Sequence, residues 1–152
     1  GAPIATVWAA WADFGDVQSW SPIVAKSYLP SESQSGVGTS RHCDLFPRGE
    51  VDETIPGWQK NAQLVVDVHP GGPIARQQVT IDLAALHAED SETTVRMTVE
   101  LQLTPEAADR AEAMHDTFRA VLRETLADLR RHLLTGEIVT EATLLSHDGP
   151  ID

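Results

Sequence analysis

Basic residues are scarce in this sequence: 11 Lys and Arg stand against 23 Asp and Glu, a formal net charge of −12. A surface of that sign repels phosphate backbones and anionic headgroups, which argues against nucleic acid as a partner and against stable membrane association. Long apolar runs are missing as well. No stretch approaches the ~20 residues that cross a bilayer as a helix, and no charged leader followed by an apolar run precedes Pro3, so the expectation is a soluble protein. Cysteine is reduced to Cys43 alone. That excludes an internal disulfide and a thiolate zinc site, and it fits a reducing cytoplasm. His42, His69, His87, His115, His132 and His147 show no short ligand spacing, so neither a metal nor another cofactor is expected. Internal repeats, low-complexity tracts and linkers rich in Pro, Gly or Ser are also lacking, and 152 residues with 41% apolar content suit one domain with a real core.

What is present changes period twice along the chain. Ile4, Val7, Trp8 and Trp11 share one helical face. Asp13 and Gly15 interrupt it, a second short helix is read over Asp16 to Trp20, and Ser21-Pro22 stops it. From Val24 the period becomes two. Val24 to Leu29, Gly38 to Phe46, Glu50 to Ile55, Ala62 to Val68, Ile74 to Leu86 and Thr93 to Leu103 read as strands. Turn clusters at 30–36, 47–49, Pro56-Gly57, 70–73 and Glu89-Asp90-Ser91 separate them, and connections this short imply antiparallel hairpins. The third period is helical again. Ala107, Ala111, Met114, Phe118, Val121, Leu122, Leu126, Leu129 and Leu133 recur at helical spacing between Thr104-Pro105 and Gly136. One helix from Thr104 to Thr135 would run on the order of 45 Å at 1.5 Å per residue. If its stripe lies flat on the sheet, Phe118→Ala or Leu122→Ala costs roughly 2 to 5 kcal/mol.

Two short helices, six antiparallel strands and a long amphipathic helix make an α+β chain in which a curved sheet wraps the last helix. Here the sequence resembles the helix-grip proteins of the START, Bet v and polyketide-cyclase superfamily, often labelled SRPBCC, on its polyketide cyclase/dehydrase-like branch. The resemblance is carried by Ala2-Pro3 with Val7-Trp8, Asp13-Phe14-Gly15 with Trp20-Ser21-Pro22, Gly36-Val37-Gly38 leading into Ser40-Arg41, and Glu53. It spans Ala2 to about Leu134, so residues 1–136 are read as the domain and 137–152 as a C-terminal extension. The resemblance implies a cavity between sheet and helix that takes a hydrophobic small molecule; some members are cyclases, aromatases or dehydratases. In the plant abscisic-acid receptors of this superfamily a lysine pairs with the ligand's carboxylate, and an arginine and a glutamate join a polar network. Lys26, Arg41 and Glu53 stand at matching positions. The hairpins Phe46-Pro47-Arg48-Gly49 and Pro70-Gly71-Gly72-Pro73 resemble the two loops that close over the ligand, but they lack the gate and latch sequences, so hormone sensing does not carry over.

Alternation supplies an independent reading of the pocket. If Arg41 points inward, so do Cys43 and Leu45, while His42 and Asp44 face solvent. The same logic places Lys26 with Val24 and Tyr28 on the inside. Around Arg76 to Thr80 the family pattern and period two differ by one residue; period two puts Val79 and Ile81 inward with Leu83, and Met97 and Val99 inward from the last strand. From the helix come Phe118, Leu122 and His115, the last either a cavity acid or base or a residue on the margin of the stripe. Lys26 and Glu53 have a plainer reading as ordinary charges at a strand end or as an ion pair. Arg41, flanked by Gly38 and Leu45, needs an anion or a water network to offset its desolvation. Cys43 reads as a small apolar wall residue, not a nucleophile. Trp8 and Trp11 read as core. No catalytic pair is evident. The first reading is therefore a carrier or sensor of an apolar or amphipathic molecule, and the alternative a cyclase or aromatase whose Arg41, Tyr28 or His115 would polarise a carbonyl or move a proton.

Helix-grip proteins usually begin with a strand before the Ala-Pro, lying beside the strand read at Thr93 to Leu103, and here the sequence starts at Gly1-Ala2-Pro3. Ile138 to Leu145 is β-branched and free of Pro and Gly. Two outcomes stay open: it is extended and pairs with its own sheet edge or with a second copy in a homodimer, or it is a disordered acidic terminus.

Overall fold

The computed structural model describes residues 1–86 and 91–138. Most of the turn expected at 89–91, His87, His147 and the tail beyond Ile138 lie outside the described residues.

Proline opens each helical region. Pro3 sits extended ahead of α1 (Ile4–Ala12), and Pro105 begins a 3-10 segment (Pro105–Arg110) that leads into α2 (Ala111–Thr135). The long helix is thus shorter than its stripe suggests. Its first turns wind tighter, Arg110 departs from helical geometry (φ −96, ψ 6), and no side chain caps either start. Gly136 ends α2 in the left-handed conformation (φ 70), its N–H bonded to the His132 carbonyl. A second 3-10 segment, Phe14–Ser19, follows α1.

Between the helices run β1 (Val24–Tyr28), β2 (Ser40–Leu45), β3 (Glu50–Gln59), β4 (Gln63–His69), β5 (Ile74–Ala85) and β6 (Thr93–Leu103). They form one curved sheet in chain order, every neighbouring pair antiparallel. Strand ends fall within two residues of expectation except one. Pro56-Gly57 is not a turn: β3 continues to Gln59 through a bulge between Thr54 and Gly57, where a proline without an N–H is tolerated. Gly57 is required there, because a Cβ would come 2.9 Å from Cγ2 of Val65 on β4. The chain reverses instead at 60–62, where Asn61 takes φ 60.

The buried core lies at the α1 end of the sheet. Val7, Trp8, Trp11, Phe14, Val17 and Trp20 pack against Cys43, Ile55, Leu64, Val66, Val68, Ile81 and Leu83. Two edge-to-face pairs fasten it, Trp11 with Trp20 and Trp8 with Trp58, each at 5.0 Å between ring centres. From α2 only Leu129 is fully buried; Met114, Phe118, Val121, Leu122, Leu126 and Leu133 are half-buried. The helix spans open space instead of lying flat, which lowers the expected cost of truncating its stripe. Leu129→Ala should cost about 2 to 3 kcal/mol, at the low end for a buried leucine because its site borders a groove that it can collapse into. Leu122→Ala should cost less than ~1.5 kcal/mol, since much of that side chain already faces open space. Denaturant unfolding of the two variants checks the order.

Candidate functional site

The space under α2 is a cavity of ≈490 Å³. Its roof is Phe118, Val121 and Thr125 of α2, its end wall is Trp11, Phe14, Val17 and Trp20, and its floor is the inner face of β2 to β6. Both hairpins expected at the mouth are there, through Gly49 and Pro70. The volume lies within the range of drug-sized ligand sites.

Among the described residues Arg41 is the cavity's one cation, and it is already paired. Register places it directly opposite Glu53. Its Nε donates to Glu53 Oε2 at 2.6 Å, its NH2 group lies 2.5 Å from the same oxygen, and its NH1 group donates to the Phe14 carbonyl at 2.9 Å. The guanidinium also covers the Phe14 ring at 3.8 Å. Both side chains are nearly enclosed, 12% and 14% exposed, so the pair offsets a desolvation that neither charge could bear alone. The Cys43 thiol completes the group, 3.8 Å from the same Oε2. Burial foremost, against a lowering by Arg41, pushes that thiol up to about 12. It is neutral and a poor nucleophile. In the folded protein Cys43 should react with iodoacetamide at least ~100-fold more slowly than in the denatured chain, as mass spectrometry of quenched samples would show.

Lys26 and Tyr28 are not in the cavity. A bulge between Val24 and Lys26 on β1 shifts the strand by one residue, so Ser27 faces inward opposite Cys43, while Lys26 lies opposite Asp44 and Tyr28 opposite His42 on the outer face. Both are exposed. Ser27 Oγ donates to the Gly15 carbonyl at 2.6 Å, pinning the 3-10 segment to the sheet. The outer face next to Tyr28 carries a cluster that spacing along the chain conceals. The Nδ1 of His42 lies 2.7 Å from Asp52, and its Nε2 lies 3.4 Å from Asp44 and 3.9 Å from Glu50. Strand pairing brings these four together, and His42, Asp44 and Glu50 are the one three-ligand grouping among the described residues. The contact with Asp52, then Asp44, holds the imidazole above the ordinary histidine value against some loss of hydration. Asp52→Asn should therefore bring the His42 titration, followed by NMR, back toward lower pH.

The remaining expected residues divide between two spaces. Arg41, Cys43, Leu45, Glu53, Val79, Ile81, Met97 and Phe118 line the cavity. Val99, Leu122 and His115 line a separate groove of ≈500 Å³ between β6 and α2, which shares Met97 and Phe118 with the cavity. His115 is exposed beside Asp116, a margin residue. A bulge between Ile74 and Arg76 on β5 accounts for the one-residue conflict there, and Val79, Ile81 and Leu83 face inward. That register also turns Gln77 inward, buried and lining the cavity, a polar position that sequence reading passed over. Asp13 and Glu50, exposed carboxylates, border the cavity as well.

A curved antiparallel sheet gripping a C-terminal helix over a cavity defines a START-like, helix-grip protein. The chain belongs to the polyketide cyclase/dehydrase and lipid transport family, whose model matches residues 1–134. Similar solved structures share the fold. One is a solution structure from Thermobifida fusca, 25% identical with TM-score 0.69, covering 87% of this chain and 86% of that one. A START superfamily protein from Mycobacterium smegmatis is 14% identical with TM-score 0.68, covering 88% and 92%. The Zhui aromatase/cyclase from Streptomyces sp. R1128 is 14% identical with TM-score 0.68, covering 91% and 93%. No curated protein matches. No helix among the described residues is long and apolar enough to cross a membrane.

Proposed function

We propose that the protein binds an uncharged, apolar or amphipathic small molecule, lipid- or polyketide-like, in the cavity between sheet and α2. The observation that carries this reading is the closed Arg41–Glu53 pair in an otherwise largely apolar enclosure. Among the described residues an anionic headgroup finds no free cation inside. Lys26 is on the outer face, Arg41 is neutralised, and Asp13 and Glu50 at the border repel a negative charge. A hydroxyl or carbonyl fares better. Arg41 and Cys43 converge on Oε2 of Glu53, leaving Oε1 without a hydrogen bond among the described residues, and the Gln77 amide lines the same space. These polar groups orient one end of a ligand whose body is desolvated by the apolar wall.

The family description and the aromatase/cyclase neighbour raise the enzyme alternative. It needs an acid and a base converging on one point of the substrate. The cavity's strongest candidates neutralise each other, and Cys43 is held as a thiol, so carriage or sensing is the better reading. The single buried Cys43 agrees with a cytoplasmic setting. Native mass spectrometry of the protein purified from its own host tests the proposal. An adduct of one uncharged molecule supports it, and an adduct carrying a carboxylate or phosphate counts against it.

A further inference from the structure

The cavity floor carries its polarity in a single row. Strand pairing sets Arg41 opposite Glu53, Glu53 opposite Val68 and Val68 opposite Gln77, so these four side chains cross the inner face from β2 to β5 in one line. Arg41 and Oε2 of Glu53 are occupied with each other. Gln77 is not. It is 9% exposed and lines the cavity, yet its amide makes no hydrogen bond among the described residues, whereas Gln63 and Gln78 donate theirs to Asp82 and Asp67 across the neighbouring strand at 2.7 and 2.8 Å. An enclosed amide without a partner carries a desolvation cost that a ligand or water must offset. Oε1 of Glu53 is in the same position, and as a carboxylate oxygen it can only accept.

Placement along the strands gives the row a direction. It lies next to the hairpins at Gly49 and Pro70 that form the mouth. The rows behind it, Val66 with Val79 and then Leu64 with Ile81 and Met97, are apolar throughout. From Val68 back to Leu64 is four residues of β4, roughly 13 Å of strand, which accommodates a medium-length acyl chain. Val68 stands between the two free polar groups, whose strands lie two spacings apart, roughly 9.5 Å, so one ligand atom does not serve both.

Resting on the reading that the cavity binds an uncharged ligand, we propose that it takes a neutral single-chain lipid whose head carries a hydroxyl and a separate carbonyl, inserted tail first. The hydroxyl donates to Oε1 of Glu53, and Nε2 of Gln77 donates to the carbonyl. The tail runs past Val66 and Val79 toward Leu64 and Ile81. Gln77 sets this preference, because Glu53 alone satisfies a simple alcohol.

Titration calorimetry of the whole chain with 1-decanoylglycerol, which carries both groups, and with decanol, which carries only the hydroxyl, tests this. The ester should bind at least ~tenfold more tightly than the alcohol. Gln77→Leu should remove that advantage and leave the affinity for decanol within about twofold, with circular dichroism checking that the variant is folded. A second measurement needs no variant: in NMR spectra of the complex, the terminal methyl of 1-decanoylglycerol should show contacts to Leu64 and Ile81, and its glycerol protons to Val68. Equal affinity for the two probes, a Gln77→Leu variant that keeps the difference or weakens both alike, or a terminal methyl found against Val51 would each overturn the proposal while leaving an uncharged ligand in the cavity. If neither probe binds, the reading it rests on falls with it.

Discussion

Glu53→Ala is expected to cost about 3 to 5 kcal/mol of folding stability, the scale for removing one partner of an enclosed ion pair. The loss comes less from the missing attraction than from what remains: the Arg41 guanidinium stays fixed to the Phe14 carbonyl and ring with its charge uncompensated and little water around it. Arg41→Ala should be similarly severe, since it strands the Glu53 carboxylate and also removes one of the ties between the 3-10 segment and the sheet. An Arg41 that served only to hold a ligand would leave the fold intact when removed. Replacing both residues together, Arg41→Met with Glu53→Leu, should recover most of the stability, because a well-packed apolar pair removes the desolvation cost along with the charges. Urea unfolding of the two single variants and the double variant gives the coupling directly.

Filling the cavity should separate binding from folding. Val66 and Val79 are cross-strand partners on β4 and β5, and both line the ≈490 Å³ space. Changing both to Phe adds two rings where there is room for them, so the thermal midpoint should hold or rise where overpacking a filled core would cost about 1 to 3 kcal/mol. Affinity for an apolar ligand should fall at least ~100-fold, at about 1.4 kcal/mol per decade. Binding that survives the substitution would place the ligand in the groove beside β6 instead.

The elements that sequence alone located well are those whose pattern runs uninterrupted. β6 alternates without a break for its whole length, and the structure gives each of its residues the face that alternation assigned. The α2 stripe and the Gly136 stop are legible for the same reason. Errors arose where one inserted residue reverses a strand's faces. The bulge in β1 carries Lys26 and Tyr28 to the outside, and nothing in Val24 to Tyr28 announces it, since unbroken alternation places Val24, Lys26 and Tyr28 inward and the bulged strand Val24 and Ser27, a mixture of apolar and polar side chains in both cases. In β3 a bulge absorbs Pro56-Gly57, a pair that elsewhere signals a turn. Arg41 and Glu53 each stood out through the family resemblance, but that they face one another and pair depends on the β2–β3 register, a long-range fact. The His42 cluster on the other face depends on that pairing too, which is why no ligand spacing along the chain revealed it.

This cavity is expected to select uncharged ligands because Arg41, its one cation among the described residues, is already paired. Titration calorimetry at neutral pH with decanol and with decanoate, equal in chain length and different in charge, measures that selection. The alcohol should bind with one molecule per chain and the carboxylate at least tenfold more weakly, a difference of about 1.4 kcal/mol. A carboxylate that binds as tightly as the alcohol, or more tightly, would mean that Arg41 is available to ligand and would contradict that expectation.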